Sequence, residues 1–378
     1  MSLELDVRSS LRPSRIEVDL GAVRHNVATI ARISGTDVCA VVKAGAYGHV
    51  AVPVARAAID AGATWLAVAT VEEGIELRDA GIETPILLFS EPPIAAVESL
   101  LAAGLTPTAY REVFLTVLDA AGHERGTPID VHLKLDTGMG RVGIAPADWP
   151  VRLRQAASAR GINVTGLWTH FARADEPEAP TTDQQLAAFD QGLDTAAKLG
   201  IEPTLIHAAN TAGALLHPRS RHSLVRPGIG LYGLSPSAEV DALEYGLRPA
   251  LRLLTEVSFA KRVAAGTPVS YGHRWRAPEE GWVATLPIGY ADGVPRALTN
   301  RAQVLLRGRR RPMVGTVTMD QILIWCGDDE PTVGEEVVLI GTQDDETIRV
   351  EEWAVATDTI TYEIATQLTA RLPRHHHD

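Results

Sequence analysis

The strongest constraint on the fold is the alternation of short apolar runs with helix-like stretches between residues 15 and 233. The helix-like stretches carry Ala, Leu and Ile at helical spacing, and several end in glycine, as helix C-termini prefer. Such alternation is typical of βαβ units and of a parallel sheet. The strand-like runs are VCAVVKA, WLAVAT, ILLFS, LTPTAY, IDVHLKLDT, VTGLWTHF, LIHAAN and SLVRPGIGLYG.

Eight such units match the size of a (β/α)₈ TIM-like barrel, an α/β fold. A doubly wound open sheet is the alternative architecture. After about Leu247 the pattern changes to apolar runs separated by Gly- and Pro-containing turns, with few helical patterns before EEWAVATD. We therefore predict a mainly β C-terminal domain. We assign residues 14–245 to the barrel and residues 246–378, plus 1–13, to the β domain, although the strand RIEVDL fits either domain.

Composition excludes several classes of protein. The chain has 378 residues and a formal net charge of −12, which argues against nucleic acid or an anionic membrane surface as its main partner. No run is long and apolar enough to span a bilayer, and the first residues lack the pattern of a signal peptide. Cys39 and Cys326 are far apart in sequence, which fits a reducing cytoplasm better than a disulfide framework. We expect no metal site, the terminal HHHD included.

One lysine stands where an apolar strand stops. Lys43 follows Val38–Val42, and Gly45 and Gly48 loosen the backbone beyond it. An ammonium group at such a position is costly unless it is paired or covalently used. A lysine that forms a Schiff base with a carbonyl cofactor meets this condition. A lysine whose side chain extends past the strand end to solvent avoids this cost equally well.

Polar residues follow several other predicted strands, and barrels collect function at the C-terminal ends of their strands. Each residue alone has a structural explanation, such as a tight glycine turn or an ion-paired arginine. Their coincidence at many strand ends favours one functional rim. The polar residues are Lys43, Tyr47, His132, Lys134, Asp136, Arg141, His170, His207, Asn210, Thr211 and Arg226, and Gly228 and Ile229 follow the last of them.

The run GIGLYG, residues 228–233, matches the G-x-G-x-x-G pattern of dinucleotide-binding proteins. That site requires a helix to open at the glycines. The following LSPSAEVD is a poor helix start, so we do not predict a Rossmann site. In the β domain, polar clusters surround Tyr271, Tyr290, Met319 with Asp320, and Tyr362.

Taken together, these motifs resemble the alanine racemases, pyridoxal-phosphate enzymes of the barrel-fold type. The resemblance covers nearly the whole chain, and the motifs occur in the order found in that family. A single motif is weak evidence, but the ordered set is very specific. The motifs are AVVKAGAYGH, HLKLDTGMGRVG, WTHFARADE, HAANTAGAL, VRPGIGLYG, VSYG, PIGYADG, TVTMDQ and ITYEI.

The resemblance implies pyridoxal 5′-phosphate as the cofactor and a two-base interconversion of L- and D-alanine. Lys43 would hold the cofactor and act as one base at Cα, which requires its pKa to fall. Tyr271 would be the base on the opposite face. His170 is expected to hydrogen-bond Tyr271. Arg226 is expected behind His170 and facing the pyridine nitrogen, where a guanidinium donates a hydrogen bond but no proton, which favours racemisation over transamination.

The resemblance also assigns the remaining binding roles. The expected phosphate ligands are Tyr47, Thr211, Tyr362 and the backbone N–H groups of Gly228 and Ile229. Asn210 is expected beside the cofactor. Arg141 and the main chain near Met319 would hold the substrate carboxylate. Lys134 can carry a carbamate that orients Arg141 in such enzymes, and Tyr290 and Asp320 would support the site.

As partners, the resemblance implies alanine and a head-to-tail homodimer in which Tyr271 and Met319 enter the barrel mouth of the other subunit. Cell-wall supply of D-alanine follows from the family. The alternatives are a serine or broad-specificity racemase, a related barrel decarboxylase, a non-catalytic cofactor carrier and a sugar-phosphate barrel enzyme. The last three fit poorly with Tyr271 and the second domain.

Three positions depart from the family pattern. Gly45 stands where Asn is usual, Thr318 where Cys is frequent, and Thr211 where Ser is frequent. Threonine keeps the hydroxyl of serine. We expect Gly45 and Thr318 to affect the rate or the substrate range.

Overall fold

The computed structural model describes residues 12–378, which divide into two compact units. The barrel unit comprises residues 22–248, and the β unit combines residues 12–21 with 249–378. The first strand, β1 (Arg15–Asp19), belongs to the β unit, where it pairs antiparallel with residues 251–254 and parallel with residues 374–377. The predicted start of the barrel at residue 14 is therefore wrong by one strand.

The burial pattern of β1 explains this difference. Ile16 and Val18 are fully buried, whereas Arg15, Glu17 and Asp19 are half-buried. Such alternation is typical of a strand with one face on a core, as in an antiparallel or mixed sheet. Strands of a parallel barrel are instead buried along their length. The assignment of residues 1–11 to the β domain lies outside the described residues.

Eight parallel strands build the barrel unit and confirm the predicted fold. Each strand-like run of the sequence forms one strand. Neighbours along the chain pair in order, and β2 also pairs with β9. Hydrogen bonds from Ser223 N to Ile206 O (3.1 Å) and from Arg226 N to Ala209 O (2.9 Å) link the remaining edge, so the sheet is nearly closed. The strands are β2 (Asp37–Val41), β3 (Trp65–Val68), β4 (Ile86–Leu88), β5 (Thr106–Ala109), β6 (Ile129–Lys134), β7 (Ile162–Trp168), β8 (Leu205–His207) and β9 (Leu224–Val225).

Helices follow the strands as expected from the alternating pattern. Local signals fix their ends: Thr70 and Glu73 form a capping box at one N-terminus, and Gly126, with φ of 66°, ends another helix in the left-handed conformation. The helices are α1 (Leu20–Ser34), the single turn α2 (Lys43–Tyr47), α3 (Ala51–Asp60), α4 (Val71–Asp79), α5 (Val97–Ala102), α6 (Glu112–Arg125), α7 (Trp149–Ser158), α8 (Thr181–Lys198) and α9 (Thr211–Leu216).

The core of the barrel unit lies between the strands and this layer of helices. Phe114 and Leu118 of α6 and Phe189 of α8 are fully buried in one apolar cluster with Leu133 of β6. Burial on both faces explains why the strands appear in the sequence as continuous apolar runs.

The β unit is mainly β, as predicted. A mixed sheet has the order β16-β15-β18-β10-β1-β20 with β19 on β18, and two smaller sheets have the orders β11-β14-β17 and β12-β13. The EEWAVATD segment forms a helix. The elements are β10 (Leu251–Glu256), β11 (Phe259–Val263), β12 (Pro268–Val269), β13 (Trp275–Arg276), β14 (Gly281–Leu286), β15 (Gln303–Leu306), β16 (Arg309–Pro312), β17 (Ile322–Gly327), β18 (Glu336–Gln343), β19 (Glu346–Ile348), α10 (Val350–Thr357), α11 (Thr361–Gln367) and β20 (Arg374–His377).

None of the helices within residues 12–378 combines the length and the hydropathy that a bilayer crossing demands.

Candidate active site

The polar residues of the barrel unit gather at the C-terminal ends of its strands. Lys43 comes two residues after β2, Lys134 is the last residue of β6, His170 comes two residues after β7, and Arg226 directly follows β9. Asn210 follows β8 at the start of α9. Because the carboxyl ends of parallel strands meet at one rim of a barrel, these groups share that rim.

The turn after Lys43 has an unusual backbone. Ala44, Gly45, Ala46 and Tyr47 have φ angles of 52°, 58°, 54° and 53°, which is one turn of left-handed helix. For a residue with a Cβ this conformation costs roughly 1–2 kcal/mol. Only Gly45 adopts it without that penalty, so surrounding contacts must stabilise the other three.

Two side chains stabilise the left-handed turn. The Ala44 N–H donates to Oε1 of Glu73 (2.6 Å), and Nδ1 of His49 lies 3.1 Å from the carbonyl oxygen of Ala46 and 3.0 Å from that of Tyr47. Because both neighbours of Nδ1 are acceptors, this nitrogen carries the hydrogen. The His49 ring stacks on Tyr232 at 4.4 Å between ring centroids.

Four cationic side chains lie at the rim of a chain whose net charge is −12. They are Lys43, Lys134, Arg141 and Arg226. Burial lowers the pKa of Lys43, and the charge of Arg141 lowers it further, while Glu73 opposes this change. Burial, followed by Arg141 and Arg226, lowers the pKa of Lys134 to about 7. The Lys134 ammonium lies 4.5 Å from the centroid of the Trp168 ring, a cation–π geometry. The rim is therefore suited to an anionic ligand and provides an amine of reduced basicity.

Arg226 is buried and rigidly held. Its Nη2 donates to the carbonyl oxygens of Thr169 (2.7 Å) and Ala208 (3.0 Å), and its guanidinium carbon lies 4.7 Å from the centroid of the Trp168 ring. Burial lowers its pKa to about 10, so the guanidinium stays charged at neutral pH. Its Nε is buried without a hydrogen-bond partner among the described residues.

A pair of histidines extends inward from Arg226. Nη1 of Arg226 donates to Nδ1 of His207 (2.8 Å), and Nε2 of His207 lies 3.0 Å from Nδ1 of His132. Because His207 Nδ1 accepts, its hydrogen is on Nε2, which donates to His132. Burial and the nearby Arg226 lower the pKa of His132 to about 3 and hold that of His207 well below its usual value. Both rings are neutral and fix the orientation of the guanidinium.

A second group of contacts joins Tyr47, Thr211 and Gly228. The hydroxyl oxygen of Thr211 accepts hydrogen bonds from the N–H groups of Gly228 (3.1 Å) and Gly230 (3.2 Å), which leaves its own hydrogen available for a ligand. A Cβ on Gly228 would lie 2.3 Å from the Tyr47 hydroxyl oxygen, so only glycine allows this approach. Ile229–Tyr232 forms a short 3₁₀ turn in place of a long helix, in agreement with the rejection of a dinucleotide site.

The glycine-rich turn that carries Arg141 is organised by Asp136. Oδ1 of Asp136 accepts from the N–H groups of Gly138 (3.0 Å) and Gly140 (3.1 Å). Gly138 has φ of 129°, which a side chain would not allow. The Arg141 side chain is exposed, so the turn presents a guanidinium to solvent.

His170 and Asn210 each form a hydrogen bond with a neighbouring residue of the barrel unit. Burial and then Arg226 lower the pKa of His170 well below its usual value, and its Nδ1 is 3.4 Å from Arg226 Nη2. Its backbone carbonyl accepts from Gln185 Nε2 (3.1 Å). The Asn210 side chain accepts from Gly213 N (2.9 Å) and caps α9. Its observed contact is thus a structural one within the barrel rim.

Five predicted site residues lie in the β unit, and several are unusually exposed. Tyr271, Tyr290 and Met319 are 74%, 41% and 52% exposed. Hydrogen bonds tie their loops together: Thr316 Oγ1 donates to Tyr271 O (2.7 Å), and Ala291 N donates to Met319 O (3.0 Å). Asp320 pairs with Arg371 at 2.8 Å, and Tyr362 is half-buried in α11. These bonds order the backbone, while the side chains of Tyr271, Tyr290 and Met319 are exposed.

Sequence reasoning gave no role to Trp168 and Glu73, two residues that the structure places around the site. Trp168 packs against Lys134 and Arg226, and Glu73 anchors the Lys43 turn. His207 was predicted on the rim and His132 on its strand, but not their hydrogen bond. The only available signal was the polar position of both histidines in otherwise apolar strands.

Comparisons with known proteins agree with the sequence motifs. The model of the alanine racemase N-terminal domain matches residues 18–236, and that of the C-terminal domain matches residues 250–376. The chain is 47% identical over 366 residues to the alanine racemase of Symbiobacterium thermophilum, covering 96% of this chain and 97% of that protein. It is 45% identical over 371 residues to the alanine racemase of Thermobifida fusca, covering 97% and 98%.

Solved structures give the same answer. The crystal structure of alanine racemase from Streptomyces lavendulae superimposes with a TM-score of 0.93 at 39% identity, covering 98% of each chain. That of Streptomyces coelicolor superimposes with a TM-score of 0.92 at 40% identity, covering 97% of this chain and 98% of the other. By sequence, by fold and by the order of its motifs, the chain belongs to the alanine racemase family.

Proposed function

We propose that the protein is a pyridoxal 5′-phosphate-dependent alanine racemase that interconverts L- and D-alanine with two bases. The observation that carries this proposal is Lys43, an amine of lowered pKa at a barrel rim rich in cations. Membership of the alanine racemase family supports both the substrate and the reaction.

The residues of the rim fit this cofactor. An anionic phosphate suits the Thr211 hydroxyl, whose oxygen already accepts two N–H groups, together with Tyr47 beside Gly228. The backbone N–H of Ile229 and the side chain of Tyr362 are further proposed phosphate ligands. The Gly228 N–H, which donates to Thr211 Oγ1 at 3.1 Å, would share its hydrogen with the phosphate.

The pyridine nitrogen of the cofactor suits the buried guanidinium of Arg226, whose Nε has no hydrogen-bond partner within residues 12–378. The carbonyl oxygens of Thr169 and Ala208 and the neutral His207, itself bonded to His132, fix Arg226. A guanidinium donates a hydrogen bond without passing on a proton. We assign His170 and Asn210 to the same part of the site.

When bound, the cofactor supplies an electron sink that makes the Cα–H bond of an amino acid acidic. The Nζ of Lys43 can take up or return the Cα proton on one face because its lowered pKa leaves more of the amine unprotonated near neutrality. The Tyr271 hydroxyl is the proposed proton carrier on the opposite face. Two bases on opposite faces are sufficient to invert the configuration.

The proposed carboxylate site consists of Arg141 and the main chain at Met319. Lys134 is poised for carbamate formation because burial and two arginines bring its pKa to about 7, which leaves a nucleophilic amine at neutral pH. A carbamate would add a negative charge that pairs with Arg141. Tyr290 and Asp320 support the Met319 loop.

We propose that two chains share each site in a homodimer, with Tyr271 and Met319 provided by the other subunit. The exposure of these side chains, at 74% and 52%, supports an interface at this surface, because a large aromatic group left in solvent is typical of a contact site. We further propose a cytoplasmic enzyme that provides D-alanine for peptidoglycan.

The test uses purified protein supplied with pyridoxal 5′-phosphate. We expect a yellow protein that removes the optical rotation of both L- and D-alanine, and that rescues growth of a bacterial strain requiring D-alanine. Lys43→Ala should lose the colour and the activity. Tyr271→Phe should keep the colour, with racemisation of both L- and D-alanine lowered by about 10²- to 10⁴-fold, because each direction needs both bases.

A conservative control is Tyr245→Phe, the same change at a tyrosine of the barrel unit that has no proposed role in the site, which should leave the rate unchanged. Full activity in both the Lys43 and the Tyr271 variants would contradict the assignment of bases. The relatives described above are named alanine racemases, which gives no support to a serine racemase or a non-catalytic carrier. Comparing rates on alanine and serine distinguishes the first of these directly.

A further inference from the structure

The carboxylate of Glu73 connects two separate parts of the barrel rim. Its Oε1 accepts from Ala44 N at 2.6 Å, directly after the lysine. Its Oε2 accepts from Ala69 N at 2.8 Å and from Thr70 N at 3.2 Å, beyond the end of β3. A capping-box glutamate ordinarily reaches back only to its own helix N-terminus. This one uses its second oxygen on a different strand–helix connection.

Glu73 bonds to Ala44, whose backbone has a conformation that alanine disfavours. Ala44 begins the left-handed turn, and it pays the steric cost of a positive φ without the freedom of glycine. A charged acceptor at 2.6 Å compensates for this cost, since hydrogen bonds to charged groups are stronger than neutral ones. Because the Lys43 side chain leaves the backbone one residue earlier, the same bond fixes its starting point.

Charge adds a second effect. Among the groups that influence Lys43, Arg141 and Glu73 have opposite signs. The carboxylate of Asp136 acts instead on Lys134, together with Arg141, Arg226 and Lys43. Glu73 is therefore the negative group associated with the Lys43 ammonium in this cluster.

We propose that Glu73 is a positioning residue for Lys43, which both fixes the backbone at Ala44 and balances the positive charge of the neighbouring cations. The catalytic part of this inference rests on the proposed function of Lys43. The structural part concerns the lysine itself. Removal of the carboxylate should lower the pKa of Lys43 further, because Glu73 raises it against burial and Arg141.

The experiment measures Lys43 directly in the cofactor-free full chain. Limiting acetic anhydride is applied across a pH series, and the labelling of each lysine is measured by mass spectrometry, with exposed Lys198 as the internal reference. In Glu73→Gln, we expect the titration midpoint of Lys43 to fall, which raises its labelling at pH 7 by about two- to fivefold. Glu76→Gln, an equal loss of charge at an exposed position of α4, should give the wild-type curve.

A second readout is the rate of the loaded enzyme. Glutamine offers one acceptor oxygen, so one of the two anchored connections loses its bond. We expect kcat to fall by about 10- to 100-fold, with KM for alanine changed less than threefold, because misplacement of a reacting group affects the chemical step. Glu73→Asp keeps the charge but is one methylene too short to reach both sides. It should lower kcat and move the Lys43 midpoint less than Glu73→Gln.

Identical Lys43 labelling and kcat in Glu73→Gln and Glu76→Gln would overturn the proposal. If Glu73→Gln does not fold, a Glu73→Asp protein with wild-type kcat would overturn it as well. Failure of the proposed function is separate: it appears as wild-type protein that does not racemise alanine, while the labelling comparison still decides the role of Glu73.

Discussion

The two units carry their candidate site residues in opposite ways. In the barrel unit, Arg226 and Thr211 are both 2% exposed and make several hydrogen bonds each. In the β unit, Tyr271 and Met319 are 74% and 52% exposed, and only their backbones are tied down. The barrel rim is preorganised by its own contacts, whereas the exposed side chains of the β unit would be covered only in the proposed homodimer.

A site of this kind would combine a rigid barrel rim with residues that another subunit supplies. Cofactor-binding groups need fixed positions, which buried hydrogen bonds to strand ends supply. A base presented from an exposed loop completes the site only when that loop meets its partner surface. The contrast leads to three predictions in decreasing order of expected effect.

The largest effect is expected from mixing two inactive variants. If the two bases come from different chains, co-expressed Lys43→Ala and Tyr271→Phe subunits form heterodimers with one site in which both bases are intact. We expect the isolated heterodimer to recover about half of the wild-type activity, because one of its two sites is intact. Activity is measured by loss of optical rotation after separate tags have been used to isolate the heterodimer.

The double variant Lys43→Ala/Tyr271→Phe mixed with wild type is the control, because in that heterodimer each site lacks one base. Bases contributed by a single chain would reverse the pattern: the double variant would leave one intact site, and the two single variants would leave none. That result would contradict the shared site.

A smaller effect is expected from the buried Lys134. Its pKa is about 7 when folded, below the ordinary value of 10.5. Between these two pKa values the unfolded chain binds more protons than the folded chain, so the free energy of unfolding should rise with pH. Below about pH 7 the buried lysine is protonated and its full destabilisation of the fold remains. In cofactor-free protein and carbonate-free buffer, we expect a rise of about 2 kcal/mol from pH 7 to 9 that is absent in Lys134→Met.

Urea denaturation at several pH values measures this difference, with Lys198→Met as the matched change of an exposed lysine. The Lys134→Met protein should also be more stable than wild type at pH 7, because it removes a buried charge. Parallel pH profiles for wild type and Lys134→Met would show that the lysine is not buried as a destabilising cation.

The smallest effect is expected in the loop of Met319. Thr318 Oγ1 donates to Gln321 O (2.7 Å) and accepts from Gln321 N (3.1 Å), which closes the loop around Met319. Thr318→Val removes both bonds at nearly constant volume. Because losing the two hydrogen bonds costs about 1 kcal/mol in the order of the Met319 loop, we expect KM for alanine to rise by about three- to tenfold.

Thr318→Ser retains the hydroxyl and should keep the wild-type KM, and hydrogen exchange of the Thr318–Gln321 segment should accelerate only in Thr318→Val. Equal KM values in both variants would mean that this loop does not need the threonine, and that the departure from the cysteine frequent in the family has no effect on substrate binding.

The strands of the barrel could be predicted because a parallel strand buried on both faces appears as an unbroken apolar run. All eight runs became strands, and their polar ends gathered at one rim. The assignment of β1 failed although its signal was present: Ile16 and Val18 alternate with charged residues, which indicates a strand with one buried face. By sequence the strand fitted either domain, and its pairing with residues 251–254 and 374–377 decides the matter.

The contacts around Lys43 could not be predicted from the sequence. Ala44 and Ala46 give no signal for a left-handed backbone, because alanine normally avoids it. Glu73 looks like the last residue of an ordinary capping box, and its bond to Ala44 crosses 29 positions of sequence. Likewise, the bond between His132 and His207 joins two strands that are 75 residues apart.

By itself, the sequence determined the barrel, the β unit and the order of the motifs that mark the family, because these depend on local periodicity and on the chemistry of adjacent residues. Tertiary structure alone decided the strained turn at Lys43, the neutral histidines behind Arg226 and the lowered pKa of Lys134. Those properties arise from burial and from neighbours distant along the chain, which meet only when the strands close into a barrel.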